Sequence, residues 1–135
     1  MGEEVVRIEV AAGVVFRDGR LLITQRRAGD HLGGLWEFPG GKRRPNEDFE
    51  ECLSRELKEE LGIEVAVGQL LEETDYTYPA HRVLLRFYRC LWLRNEPRPL
   101  GCQAFAWVVA DQLDGLSFPP ADIPLLRKLC SSPWS

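Results

Sequence analysis

The sequence is short of the features that mark several large protein classes. Its 4 cysteines, Cys52, Cys90, Cys102 and Cys130, are scattered, with no Cys-x-x-Cys pair and no partnered histidine. That spacing offers neither a zinc site nor a redox dithiol, and small buried thiols are the expected role. Positive charge is not in surplus either: 17 Lys and Arg against 21 Asp and Glu give a net charge of −4. A stable complex with nucleic acid needs a basic surface and is therefore not expected, although a triphosphate held through a metal remains compatible. No long hydrophobic run is present. The opening MGEEVVRIEV begins with acids and alternates polar with apolar residues, so it reads as neither a signal peptide nor a membrane span. Without a targeting segment the expected location is cytoplasmic. There is no internal repeat, low-complexity run or linker, so residues 1–135 are expected to form one domain. The composition, 44% hydrophobic and 28% charged, is that of a soluble globular chain.

What the sequence does have is a dense run of carboxylates from Gly41 to Ile63, GKRRPNEDFEECLSRELKEELGI. Asp48 is placed to cap a helix, with Glu51 three residues on to complete a capping box. Leu53, Leu57 and Leu61 recur every fourth residue as a core-facing stripe, and Gly62 supplies a left-handed stop. The spacing predicts a helix over 49–61. At about 100° per residue, Glu56, Glu59 and Glu60 share one face beside the leucines. Acids so crowded repel one another unless a cation sits among them, and an all-oxygen ligand set suits Mg²⁺ or Mn²⁺. The plain alternative is a solvated face, with Arg55, Lys58 and Glu59 offsetting charge in weak pairs.

Gly41, then five residues to Glu47, seven to Arg55-Glu56-Leu57, one to Glu59-Glu60 and one to Gly62-Ile63 match the Nudix box at every specified position. The chain therefore resembles a Nudix hydrolase, and Trp36 to Lys42 with Phe118 to Leu126 resemble the MutT-like and CTP pyrophosphohydrolase-like branch. The resemblance extends from about Val6 to Leu129. It implies a metal-dependent pyrophosphohydrolase that takes (deoxy)nucleoside triphosphates, oxidised ones such as 8-oxo-dGTP or cytosine nucleotides, to monophosphate and pyrophosphate. A nucleotide is then the partner, no membrane is involved, and the chain is a monomer or homodimer. Two other readings are a non-catalytic base-binding Nudix-like module, whose box is often decayed, and an ADP-ribose or dinucleotide pyrophosphatase.

Along the chain, Val6, Ile8 and Val10 alternate into the apolar run Ala11 to Phe16, Asp18-Gly19 signals a hairpin, and Leu21 to Thr24 returns. A glycine-rich loop over 28–36 precedes the Pro39-Gly40-Gly41 turn. After the helix, a strand is expected over 65–72, an aromatic loop over 75–80, and a long strand over 83–93. Asn95 to Pro99 is a turn. Ala104 to Val109 is a last strand, too apolar for a water-facing sheet edge. A short helix from Ala110 and a second over 123–130 complete an α/β fold, an α/β/α sandwich around a mixed sheet. The resemblance implies the same architecture.

The resemblance assigns Glu56, Glu59 and Glu60, with the Gly40 carbonyl, to metal. Glu56 is also the candidate to orient or deprotonate water, Arg55 to fix its carboxylate, and Glu47 to join a further metal or tune the cluster. Arg26 matches a phosphate- or base-contacting position; surface arginines are also common at strand ends. Phe38, Tyr78 and more weakly Trp36 are candidates to stack on a base or to fill the core. Asp122 stands where relatives specialised for oxidised guanine have Asn, and Ala80 where they often have Asp. An ionised Asp122 would accept hydrogen bonds only, favouring base edges that carry donors; its alternative role is a cap for the last helix. Many relatives carry an acid six residues before the last-strand tryptophan, where this chain has Gly101. Either Glu96 reaches in, or the helix acids suffice, and the second is the expectation.

Overall fold

The computed structural model describes residues 7–131 and 134, so Val6 of the first alternating segment lies outside the described residues. The strands are β1 (Arg7–Arg17), β2 (Arg20–Gln25), β3 (Trp36–Glu37), β4 (Gly40–Lys42), β5 (Glu64–Thr77), β6 (Arg82–Arg94) and β7 (Ala104–Val108); the α-helices are α1 (Phe49–Leu61) and α2 (Ile123–Cys130). One mixed sheet holds all seven strands. β1 lies parallel to β6 from Arg7↔Arg82 to Phe16↔Leu91, while β5 runs antiparallel to β6. The second edge of β1 is divided, pairing with β4 over Val10 to Ala12 and with β2 at Phe16 and Arg17. Between them Gly13 N–H reaches only the Pro39 carbonyl, 2.8 Å away. That split seats the Gly40-Gly41 segment under α1.

The helix forms as its sequence predicts. Asp48 accepts from Glu51 N–H at 2.7 Å while Glu51 accepts from Asp48 N–H at 3.0 Å, and Gly62 ends the helix at φ 72°. Leu53, Leu57 and Leu61 are fully buried against Ala11, Val15 and Leu22. Each such side chain contributes about 1.5–3 kcal/mol by burial. On the opposite face, Ala12, Val14, Ile23 and Phe87 pack with Leu113, Leu125 and Leu129. Alternation along β1 thus feeds two cores, one under each α-helix, and the mixed sheet between helical layers is as expected.

Several local expectations differ. β5 continues to Thr77, so Asp75 to Thr77 are strand and the loop shrinks to a turn closed by Tyr78 and His81. Cross-strand pairs Asp75–Arg82 and Glu73–Arg86, each 2.7 Å, hold this extension. Gly40 and Gly41 belong to a short strand rather than a free turn. The segment from Ala110 winds as a 3-10 helix to Gly115. Among the described residues β7 pairs with β2 alone and is an edge. Its apolar faces are nonetheless covered, Phe105 and Trp107 against the α1 core and Ala106 against the other. No helix of the described residues is long and apolar enough to cross a membrane.

Candidate active site

Arg55 is the hub of the exposed side of α1. Its Nε and Nη2 bond the two oxygens of Glu47 at 3.0 and 2.6 Å, and Nη1 bonds Glu56 at 2.8 Å and Glu59 at 3.1 Å. Glu47 also accepts from Arg44 N–H. These donors hold its carboxyl down at about 2. Glu47 is therefore committed to Arg55, and it anchors the guanidinium that grips Glu56. The Glu56 carboxyl lies directly over Gly41, where any Cβ would collide with it. A side chain at Gly41 would therefore displace the Glu56 carboxyl.

Glu59 points outward, about half exposed, toward Arg55 and Arg44. Glu60 turns inward. Burial, then the charges of Glu37 and Glu56, push its carboxyl up to about 8, against donors from Thr24 and the Gly40 backbone. Its Oε1 is buried with no partner. The three box acids share a helix face but are drawn in different directions, and among the described residues no three acid, histidine or cysteine side chains close into a metal cage. The donor set still fits a hard divalent cation: every candidate ligand is oxygen, Glu60 lies against Gly40 and Glu56 against Gly41, and the Glu60 Oε1 is a buried acceptor wanting a partner.

Beyond Gly40 and Gly41 opens a cavity of about 390 Å³ whose lining includes Arg26, Phe38, Tyr78 and Asp122, four candidates far apart in sequence. Their settings differ. Arg26 is already engaged, its Nη1 2.8 and 3.0 Å from the two Glu37 oxygens and its Nε 2.6 Å from the His31 carbonyl. Phe38 is buried edge-on to Phe87 and beside Phe118, a cavity floor more than an open stacking platform. Trp36 packs on the core instead. Tyr78 stacks on His81 at 5.4 Å and meets His31 edge-on at 5.6 Å. Asp122 is 4% exposed and does not cap α2: its backbone is helical, φ −87° and ψ −13°, and its side chain bonds no first-turn N–H. Burial, with Glu37 adding and Arg26 opposing, holds its carboxyl well above the usual range.

At Gly101, where an acid is absent, the chain runs close against the end of α1. The N–H groups of Leu100 and Gly101 both reach the Glu60 carbonyl at 3.0 Å, and a Cβ on Gly101 would stand 3.2 Å from Glu60 Cα. Glu96 does not reach in. It pairs with Arg17 at 3.0 Å, whose guanidinium lies over Trp92 and Trp107. Glu37, His31 and His81 line the cavity and were not singled out in sequence. For Glu37 a signal existed, an acid between two aromatics just ahead of the glycines; the strand register Thr24↔Glu37 then brings it beside Arg26.

Comparison with known proteins bears on this site. The NUDIX domain model matches residues 11–128. The chain is 37% identical over 120 residues to CTP pyrophosphohydrolase of Escherichia coli (strain K12), covering 89% of each. It is 37% identical over 123 residues to 8-oxo-dGTP diphosphatase of Haemophilus influenzae, covering 90% of each. The solution structure of the E. coli ORF135 protein superposes with TM-score 0.83 at 35% identity, covering 94% of this chain and 91% of that one.

Proposed function

Because the chain belongs to the NUDIX family of hydrolases, we propose that it is a divalent-metal-dependent pyrophosphohydrolase that converts (deoxy)nucleoside triphosphates to monophosphate and pyrophosphate. The observation that carries the reading is the junction at Gly40-Gly41, where Glu56 and Glu60 of the helix meet the wall of the cavity. Anhydride chemistry and base recognition need such adjacency. The names of the relatives, a CTP pyrophosphohydrolase and an 8-oxo-dGTP diphosphatase, make cytosine nucleotides and oxidised guanine nucleotides the first substrates to try.

Glu56, Glu60, Glu59 and the Gly40 carbonyl are the groups that would hold the cation, and their hard oxygens favour Mg²⁺ or Mn²⁺. When bound, a divalent cation neutralises phosphate oxygens and lowers the pKa of water. Glu56 orients the attacking water and accepts its proton at a carboxylate oxygen, while Arg55 restrains that carboxylate through the contact at 2.8 Å. Glu47 is a positioning residue, acting through Arg55. The cavity holds the base between the Phe38 floor, the Tyr78 side and Asp122, and Arg26 contributes through the Glu37 pair that fixes it. In this reading the β6–β7 connection contributes no acid, and its Glu96 is paired with Arg17.

The test is a Mg²⁺-dependent assay of pyrophosphate release from the four dNTPs, CTP, 5-methyl-dCTP and 8-oxo-dGTP. Turnover that disappears in Glu56→Gln supports the reading. No release above that control from any of them overturns it, and tight base binding without release would mark a non-catalytic module.

A further inference from the structure

The chain has 2 histidines, and although they stand at positions 31 and 81 their rings lie 5.3 Å apart, centre to centre, with their planes at 70°. His31 belongs to the β2–β3 loop and His81 to the β5–β6 turn, and both line the cavity. His31 is exposed and His81 half-buried, whereas Phe38 and Asp122 are buried, so the pair stands on the open side of the cavity. The backbone behind each ring is tied down. The His31 carbonyl accepts from Arg26 Nε at 2.6 Å, and the turn is closed by Tyr78 N–H on the His81 carbonyl at 2.8 Å and by His81 N–H on the Tyr78 carbonyl at 3.3 Å. Tyr78 packs on both rings, stacked on His81 and edge-on to His31. Among the described residues neither imidazole makes a hydrogen bond, so ring contacts fix where each stands while its nitrogens have no protein partner. The neighbouring cations are compensated, Arg26 by Glu37 and Arg82 by Asp75.

We infer that His31 and His81 form a second metal site, a two-nitrogen clamp at the mouth of the cavity that takes a borderline transition cation such as Zn²⁺ and ties the β2–β3 loop to the β5–β6 turn. Two imidazoles on one tetrahedral Zn²⁺, each nitrogen about 2.0–2.1 Å from the metal, stand about 5 Å apart centre to centre. That spacing is already present between the two rings. Imidazole suits Zn²⁺ whereas Mg²⁺ prefers oxygen, so the clamp and the acids of α1 select different metals. With two protein ligands the site keeps open positions for water and exchanges its metal readily, unlike a closed structural zinc site. Filling it replaces a ring contact by two coordinate bonds. The mouth then opens less, and a ligand leaves the cavity more slowly.

Because the chain has no other histidine, the imidazole proton resonances of the intact protein report on this pair alone. Zn²⁺ titrated in excess Mg²⁺, which competes for the oxygen ligands of α1, is expected to shift both imidazoles together and to saturate at one equivalent. His31→Phe and His81→Phe keep a ring against Tyr78 but remove the nitrogens, and each should weaken Zn²⁺ binding in calorimetric titration by roughly tenfold or more. Cys130 carries an exposed thiol, and Cys130→Ser should leave the affinity as it was. Zinc that shifts one ring alone or neither, or binding that survives in His31→Phe and disappears in Cys130→Ser, overturns the inference and leaves the two rings as packing partners. Zinc-free melting temperatures separate loss of the site from loss of fold, with His31→Asn, at an exposed position, as the second variant. Zn²⁺ should also slow dissociation of dCMP roughly threefold or more in wild type and not in His31→Phe; equal slowing in both overturns the clamp's hold on the mouth. That last measurement rests on the nucleotide reading of the cavity. If dCMP does not bind, the nucleotide reading fails while the resonance and calorimetric measurements still decide the metal site.

Discussion

On the outer face of α1 the Glu47 carboxyl is pulled down, while in and beside the adjoining cavity those of Glu37, Glu60 and Asp122 are pushed up. Outside, Glu47, Glu56 and Glu59 gather round Arg55, and Glu47 is held at about 2. Inside, Glu37, Glu60 and Asp122 are all shifted upward, with Arg26 reaching only Glu37 by direct bonds. Number of acids does not explain the contrast. The supply of donors does: Glu47 takes a guanidinium fork and a backbone N–H, whereas Glu60 and Asp122 each keep a buried oxygen without a partner. The two regions meet at Gly40-Gly41, where a charged face adjoins a cavity poor in compensating donors.

The comparison can be tested by removing one element at a time. The largest effect is expected from the box acids: Glu56→Gln should lower kcat by about 10²–10⁴-fold. Glu60→Gln should also abolish most turnover, yet leave the metal-free melting temperature equal or higher, because it replaces a buried carboxylate that lacks a partner on one oxygen. Metal-free calorimetry checks this, and a clear loss of stability would mean that Glu60 is structural.

Arg55→Lys keeps the charge but loses the fork, and a drop in kcat of roughly 10–100-fold is expected. A kcat equal to wild type would show that Glu56 needs no such restraint. On the inner side, Arg26→Met leaves Glu37 half-buried and unpaired, which should cost about 1–3 kcal/mol in urea unfolding, with most of that restored by adding Glu37→Gln.

The smallest effect concerns acid. Glu47 is lowered from 4.5 to about 2 in the fold. Its contribution to stability is therefore fully present above pH about 4.5 and is lost as the pH falls through that window toward 2. Urea midpoints measured between neutral pH and about pH 3 should fall less steeply for Glu47→Gln than for wild type. Identical slopes would remove Glu47 from the account of why the outer face tolerates its charge.

Much of this was legible without coordinates, for reasons that are local. The cap at Asp48, the stop at Gly62 and the leucine stripe act within one helix, and fixed spacing is a property of the chain itself. The fully apolar run Ala11 to Phe16 and the mixed order of strands and helices point to a sheet covered on both faces. Arg26 and Asp122 follow from the resemblance and Phe38 and Tyr78 from their aromatic character, and the cavity brings the four together. The alternative role of Asp122 as a cap is not realised, because capping depends on a backbone angle that residue type does not set. The extension of β5 beyond Glu72 depends on pairing with β6, which lies outside the segment itself.

What the sequence by itself determined is therefore the helix, its acids, their order and the family they belong to, all carried by interactions between residues a few positions apart. Only the tertiary structure decided which acids are compensated. Glu37 and Thr24 come beside Arg26 and Glu60 through pairing of β2 with β3, and Glu96 is diverted by an arginine 79 residues away. Asp122 loses water to a cavity built from distant strands. Charge type is written in a residue, but its solvation and counter-charge are properties of everything packed around it.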